Sequence, residues 1–182
     1  MRVISGKFRG KKLNSPQGGR VRPTSDRVKE TLFNILYSLD VYDGIAVLDL
    51  FAGTGSLGIE ALSRGASSCV FVDIDRESCA FVKDNLKTAG TNAEIYHADY
   101  KTAIHKLAGR KFDLILIDPP YKRDNFGEIV NLILQHEILN KSGVIVIEHD
   151  KKAKPAGLPE ALVQDIRPCG NTALTFLKQE DK

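Results

Sequence analysis

Between residues 45 and 149 the chain alternates two patterns. Short apolar runs, "IAVLDL" (45–50), "SCVFVDI" (68–74), "AEIYHA" (93–98), "FDLILI" (112–117) and "GVIVIEH" (143–149), are rich in β-branched residues and predict strands. Between them lie stretches whose apolar residues recur every three or four positions, predicting helices near 56–65, 76–89, 99–108 and 126–136. Strands that are apolar on both sides and separated by helices belong to a parallel sheet covered on both faces. The expected fold is therefore α/β, a doubly wound, mostly parallel sheet.

The flanks differ. Residues 2–13 read as two short strands around Gly6 and Gly10, a small hairpin. The turn-rich "NSPQGGRVRP" follows as a loop, and then "TSDRVKETLFNILYSL" predicts a helix. Thr24, Ser25 or Asp26 can cap its start, and Val28, Leu32, Ile35, Leu36 and Leu39 form its apolar face. At the other end "KKAKPAGLP" is a loop, and "ALVQDIRP" and "NTALTFLK" predict a closing pair of strands. The expected organisation is an N-terminal hairpin and helix over 1–40 and one α/β domain over 41–182.

Charge sharpens that division. Residues 1–29 hold nine basic residues and one acid, whereas the rest of the chain holds 17 basic and 22 acidic residues. A basic arm on an acidic body points to an anionic polymer as partner. The alternative is a solvated tail, against which Val3, Ile4, Phe8 and Leu13 offer apolar anchors. Of 182 residues 42% are apolar, enough for a core and against disorder. No apolar run approaches the ~20 residues that span a bilayer, and three cysteines without a disulfide pattern make the cytoplasm the expected compartment. The N-terminus has no apolar segment of the kind a signal peptide requires. Three cysteines without CxxC spacing indicate neither a disulfide framework nor a zinc site, and His97, His105, His136 and His149 share no ligand spacing. His149, at a strand end, could approach a pocket or be an ordinary strand-end histidine.

In such sheets ligands bind beyond the carboxyl ends of the strands. The first strand runs into "LDLFAGTGSLGIE", where Gly53, Gly55 and Gly58 spell GxGxxG, and Asp73 ends the second strand. This is a nucleotide-cofactor fingerprint by spacing. Asp49 separates two cofactors. A carboxylate beside the loop repels the pyrophosphate of NAD, but attracts the sulfonium and ammonium of S-adenosylmethionine. Asp73 suits the ribose hydroxyls. Asp99 can accept from the adenine amine or simply cap a helix.

The fourth strand ends in "DPPY", and in a doubly wound sheet it lies beside the first. An exocyclic amine on a base is a poor nucleophile, because its lone pair is delocalised into the ring. The Asp118 carboxylate and the Pro119 carbonyl can accept its two N–H groups and aim the lone pair at a methyl group. Pro119 and Pro120 fix the backbone that holds these acceptors. Tyr121 offers a ring face for stacking, worth on the order of 1–3 kcal/mol. No strong base is needed, since the nitrogen becomes acidic once alkylated. Lys122 and Arg123 either touch phosphates beside the target or solubilise a loop.

The set "LDLFAGTGSLGIEALSRGA", "VFVDID" and "DPPY" resembles the amino-methylating class I S-adenosylmethionine-dependent methyltransferases, whose sheet is Rossmann-like. "RVISGKFRGKKL" and "RPTSDRVKETLFNIL" narrow this, and together the chain is similar to the bacterial 16S ribosomal RNA guanine-N2 methyltransferase family nearly end to end. The resemblance implies N2 methylation of a guanine in ribosomal RNA, presented on a partly assembled small subunit, with no metal. It carries Asp118, Pro119, Pro120 and Tyr121 over as the catalytic motif, and Asp49, Phe51, Gly53, Gly55, Gly58, Asp73 and Asp99 as the S-adenosylmethionine site. Arg9, Lys11, Lys12, Arg20, Arg22, Lys122 and Arg123 become RNA contacts. A DNA adenine-N6 or cytosine-N4 methyltransferase shares DPPY, but 182 residues leave no room for a separate target-recognition domain. A non-catalytic nucleic-acid binder on this fold, or an NAD oxidoreductase, is opposed by the intact DPPY and by Asp49 respectively.

Overall fold

The computed structural model describes residues 1–16, 25–119, 125–153, 155–160 and 162–179. Five strands and the helices between them follow the predicted alternation: β1 (Ala46–Asp49), α2 (Ser56–Ser63), β2 (Ser68–Asp73), α3 (Arg76–Ala89), β3 (Glu94–His97), α4 (Tyr100–Lys106), β4 (Phe112–Ile117), α5 (Phe126–Gln135) and β5 (Leu139–Asp150). Helix α1 (Asp26–Ser38) precedes them, and β6 (Leu162–Cys169) and β7 (Thr172–Gln179) close the chain. The seven strands form one sheet in the order β3-β2-β1-β4-β5-β7-β6. The pairs β1–β2, β2–β3, β1–β4 and β4–β5 are parallel, and β7 runs antiparallel to both of its neighbours. The chain order therefore reverses at β1, with β4 on its other side as expected.

Alternate residues of each central strand point to opposite faces. Val47, Phe71, Leu114, Val144 and Val146 meet α1, α2 and α3 through Leu32, Ile59 and Val82. Leu48, Val70, Val72, Ile115 and Ile145 meet α4 and α5 through Ile104, Ile129 and Ile133. Both faces are covered, which is why the strands read as continuous apolar runs. Strand β5 begins four residues before the run that predicted it, and its pairing with β4 shifts register between Phe112 and Leu114. Asn140, Lys141 and Ser142 inside β5 are polar and the last two are exposed, so periodicity stops short of the true strand start.

Helix ends follow the side chains available. Ser25 is the α1 cap, its hydroxyl accepting from Val28 N at 3.2 Å. Asp75 caps α3, and Gly90 ends it in the left-handed region at φ 75°.

The arm is less regular than two strands. Its backbone pairs through Val3 N to Lys11 O (3.0 Å), Gly10 N to Val3 O (2.9 Å) and Leu13 N to Met1 O (3.0 Å), around a single Arg2–Lys12 bridge. The intervening main chain bonds to α2 instead of to a partner strand. Ile4 N and Ser5 N donate to the Glu60 carboxylate at 2.8 and 3.0 Å, Phe8 N donates to Ser63 Oγ at 2.9 Å, and Lys7 N to Ser63 O at 2.8 Å. Gly6, at φ 81°, is pressed so close that a Cβ would fall 1.8 Å from Ser63 O. Glu60 also pairs with Arg64 at 2.8 Å and with the buried Lys29 of α1 at 3.9 Å. Burial holds the Lys29 ammonium below its ordinary pKa, with Glu60 opposing that shift. Val3, Phe8 and Leu13 lie in the same apolar cluster as α1 and the sheet.

Candidate active site

The reversal of strand order at β1 opens a crevice beyond the ends of β1, β2 and β4. Register fixes what meets there. Asp49 is level with Phe71 of β2 and Leu116 of β4, so Asp73 and Asp118 project just beyond it on either side. Leu50 N bonds Leu116 O at 3.0 Å and Ala52 N bonds Val72 O at 2.9 Å, tying the loop's entry to both neighbours.

The glycine loop turns back over Asp49. Gly53 and Gly55 take φ of 52° and 77°, the region that favours glycine. Gly53 N donates to Asp73 Oδ2 at 2.8 Å, and Asp75 N donates to Asp73 Oδ1 at 2.9 Å, fixing that carboxylate at the rim. Gly58 has a different use. A Cβ there would fall 2.4 Å from the Phe71 ring and 2.7 Å from Cys69 Sγ, so its hydrogen lets α2 lie against β2.

Asp49 proves to be only 1% exposed, with Gly58 N donating to its Oδ2 at 3.0 Å. Sequence placed a carboxylate at the crevice; the structure places it beneath the loop. Burial raises its pKa to about 7; the Gly58 N–H opposes this, while the charges of Asp118 and Asp73 add to it. Three carboxylates thus converge at adjacent strand ends. That donor set fits a ligand carrying positive charge and acts on it largely as a field. Half-buried Phe51 leans on Tyr100, with ring centroids 5.8 Å apart.

Asp99 is the α4 cap. Its Oδ1 accepts from Lys101 N and Thr102 N at 3.0 Å each, and its Oδ2 from the Thr102 hydroxyl at 2.6 Å. The Thr102 hydroxyl and backbone bonds hold its pKa below the ordinary range. A carboxylate retains further lone pairs, so capping leaves acceptor capacity for an adenine amine. Asp118 is half-buried and Pro119 buried. Pro120, Tyr121, Lys122 and Arg123 lie outside the described residues, as do Arg20 and Arg22.

Arg9, Lys11 and Lys12 are exposed on the arm. Lys11 also has a structural task, its Nζ donating to Ala89 O at 2.8 Å at the α3 C-terminus, and it lies 5.8 Å from the Phe8 ring centre. His149 does not reach the crevice: it is 4% exposed, with Nε2 2.8 Å from Thr175 Oγ1. Cys69 is core, whereas Cys79 is only half-buried with its thiol toward Asp73 O at 3.6 Å. Among the described residues no group of three potential ligands could hold a metal, and no helix is long and apolar enough to cross a membrane.

Two residues at this site escape sequence reasoning. Ile74, directly after Asp73, is 61% exposed, an apolar side chain beside the crevice. Its signal was the apolar residue between the acids of "VDID". Asn85 of α3 is fully buried, and its Nδ2 donates to Thr54 O in the glycine loop at 2.9 Å. An asparagine in a helix of mixed composition gives no signal of that.

The family model described as Conserved hypothetical protein 95 matches residues 1–178. The chain belongs to that family. It is 44% identical over 166 residues to "Putative rRNA methyltransferase YlbH" of Bacillus subtilis strain 168, covering 89% of this chain and 88% of that one. It is 36% identical over 152 residues to "Ribosomal RNA small subunit methyltransferase D" of Escherichia coli strain K12, covering 82% and 75%. The solved structure of "Putative methyltransferase yhhF" from Escherichia coli superposes with a TM-score of 0.86 at 32% identity, over 100% of this chain and 99% of that one. The sheet is thus the Rossmann-like methyltransferase fold, and the family resemblance read from the motifs holds.

Proposed function

We propose that this protein methylates the exocyclic N2 amine of a guanine in 16S ribosomal RNA, using S-adenosylmethionine, on a partly assembled small subunit in the cytoplasm. The observation that carries the reading is the placement of Asp118 and Pro119 at the end of β4, beside the glycine loop and the carboxylates of β1 and β2. Relatives named as rRNA methyltransferases support the substrate class.

S-adenosylmethionine, when bound, supplies an electrophilic methyl group on a sulfonium. The chain's residues do the rest. Asp73 accepts from the ribose hydroxyls, Asp99 from the adenine amine, and Phe51 and Ile74 flank the adenine as apolar surface. Asp49, beneath the loop, stabilises the cationic end through its field. The Asp118 carboxylate and the Pro119 carbonyl accept from the amine's two N–H groups, drawing its lone pair out of the ring. Their fixed positions mean little reorganisation at reaction. Tyr121 stacks on the base. A guanine amine is reachable only if the base is unpaired or flipped out. Residues 1–40 act as the RNA-binding extension, with Arg9, Lys11, Lys12, Arg20, Arg22, Lys122 and Arg123 along the backbone. Docking on Glu60 and Ser63 supports that role, since an anchored arm presents its charges at fixed positions.

The test offers labelled S-adenosylmethionine with small-subunit particles, naked 16S RNA and duplex DNA as competing acceptors, followed by nucleoside analysis. Label in N2-methylguanosine from particles is the expected result. Label in DNA, or in another nucleoside, overturns the proposal.

A further inference from the structure

Asn85 sits between the two parts of the proposed site. It is 0% exposed, on the same α3 surface as the buried Val82, Leu86 and Ala89. At such a position an apolar residue packs without the cost of burying an amide. Asn85 instead spends its amide on main-chain groups of two distant segments. Nδ2 donates to Thr54 O at 2.9 Å and to Asn14 O at 3.0 Å, and Oδ1 accepts from Asn14 N at 2.7 Å. Asn14 ends the arm, and Thr54 lies between Gly53 and Gly55.

The bond to Thr54 reaches further. Gly53 N, one residue before Thr54, holds Asp73 at 2.8 Å, so the bond from Asn85 and the anchor of Asp73 lie on the same short stretch of loop. Glu60, Ser63 and Lys29 hold the arm's first eight residues, and Lys11 bonds Ala89 O at the far end of α3; none of these bonds is to the glycine loop. Met1 adds a second, weaker link to the same loop residue, with Thr54 Oγ1 3.7 Å from its sulfur.

We infer that Asn85 is a positioning residue that couples the arm to the cofactor loop, so that cofactor and RNA bind cooperatively. This rests on the reading that the loop holds S-adenosylmethionine and the arm holds RNA. A ligand that fixes the Thr54 carbonyl fixes Asn85, and Asn85 fixes the backbone of Asn14 by two bonds. Linkage requires the reverse as well: RNA that orders the arm tightens the loop by the same factor.

The experiment compares wild type with Asn85→Leu, which keeps the branched side-chain shape and removes the amide. Two readouts use S-adenosylhomocysteine as the cofactor probe. The first, without RNA, is hydrogen exchange at the Asn14 amide. S-adenosylhomocysteine slows that exchange in wild type, a measurement that needs no substitution. The second is affinity for small-subunit particles with and without the probe. Wild type binds them about five-fold tighter or more with probe present, the lower end of ordinary coupling, and in Asn85→Leu the ratio falls to about one, whatever the change in the probe's own affinity. A merely structural asparagine would lower both affinities and leave the ratio alone. Unchanged Asn14 exchange in wild type, or an undiminished ratio in the variant, overturns the inference. Slowed exchange with no particle binding under any condition overturns the RNA reading and leaves the coupling standing.

Discussion

The buried Asp49 carboxylate makes a prediction with a definite sign. Its pKa in the folded protein is about 7, against an ordinary value of 3.8, with burial as the main cause and Asp118 and Asp73 adding to it. Folding therefore favours the protonated form. The stabilisation is fully present below about pH 4 and is lost as pH rises through 7. A rise of about three units is worth roughly 4 kcal/mol, spread over that range at about 1.4 kcal/mol per unit. Asp49→Asn keeps an acceptor for Gly58 N–H but cannot ionise. In urea unfolding the variant should match wild type near pH 4, gain on it steadily to about pH 7 and hold that difference above it. Cofactor binding should move oppositely. A cationic ligand favours the ionised carboxylate, so wild type binds S-adenosylmethionine more tightly as pH rises to 7 and releases a proton on binding below it. Calorimetry in two buffers of different ionisation enthalpy reads that proton, and the asparagine variant should bind weakly without it. Parallel stability profiles for the two proteins between pH 4 and 7, together with proton-free binding in wild type, would refute the account of a desolvated carboxylate beneath the loop.

Asp118→Asn should cost mainly turnover, with calorimetric affinity for S-adenosylhomocysteine near wild type; a loss confined to cofactor binding would place Asp118 in the wrong role. Gly58→Ala forces a methyl against the Phe71 ring at 2.4 Å, and Phe71 is itself fully buried, so urea unfolding should show a loss of about 1–3 kcal/mol. Stability equal to wild type would show that α2 lifts freely from β2. Neutralising Arg9, Lys11, Lys12, Arg20 and Arg22 together should flatten the salt dependence of RNA binding, by roughly 0.7 in slope for each lost contact to a single-stranded phosphate, and leave cofactor titrations unchanged. Equal slopes would show that these charges do not touch RNA.

Much of the fold was legible because both sheet faces are buried, which gives the strands apolar runs that no surface element shares. The adjacency of β1 and β4, and hence the meeting of Asp49 with Asp118, followed from the doubly wound pattern alone. What escaped was anything decided by main chain meeting side chain across distance. Glu60 and Ser63 read as ordinary helix residues, yet they accept the N–H groups that would otherwise have made the arm a longer hairpin. Asn85 escaped for the same reason. Asp49 was read correctly as a charge at a strand end, but whether a loop closes over it is set by the φ of Gly53 and Gly55, which spacing does not encode. Asp99 left two uses open, and its bonds to Lys101 and Thr102 show the cap.

The place of β7 bears on how the chain is made. Strand β5 is 12 residues long and its Val144, Ile145 and Ile147 are fully buried, yet one edge is paired with β7, which starts only at Thr172. A ribosome delivers β5 before β7, so for some twenty residues of synthesis an apolar edge with unpaired N–H and C=O groups stands open to any neighbour. The β6–β7 hairpin can form from contacts close in sequence and then dock in one step. Nascent chains in which β5 has left the ribosome and β7 has not should therefore be the aggregation-prone and chaperone-bound species, and emergence of β7 should end that exposure.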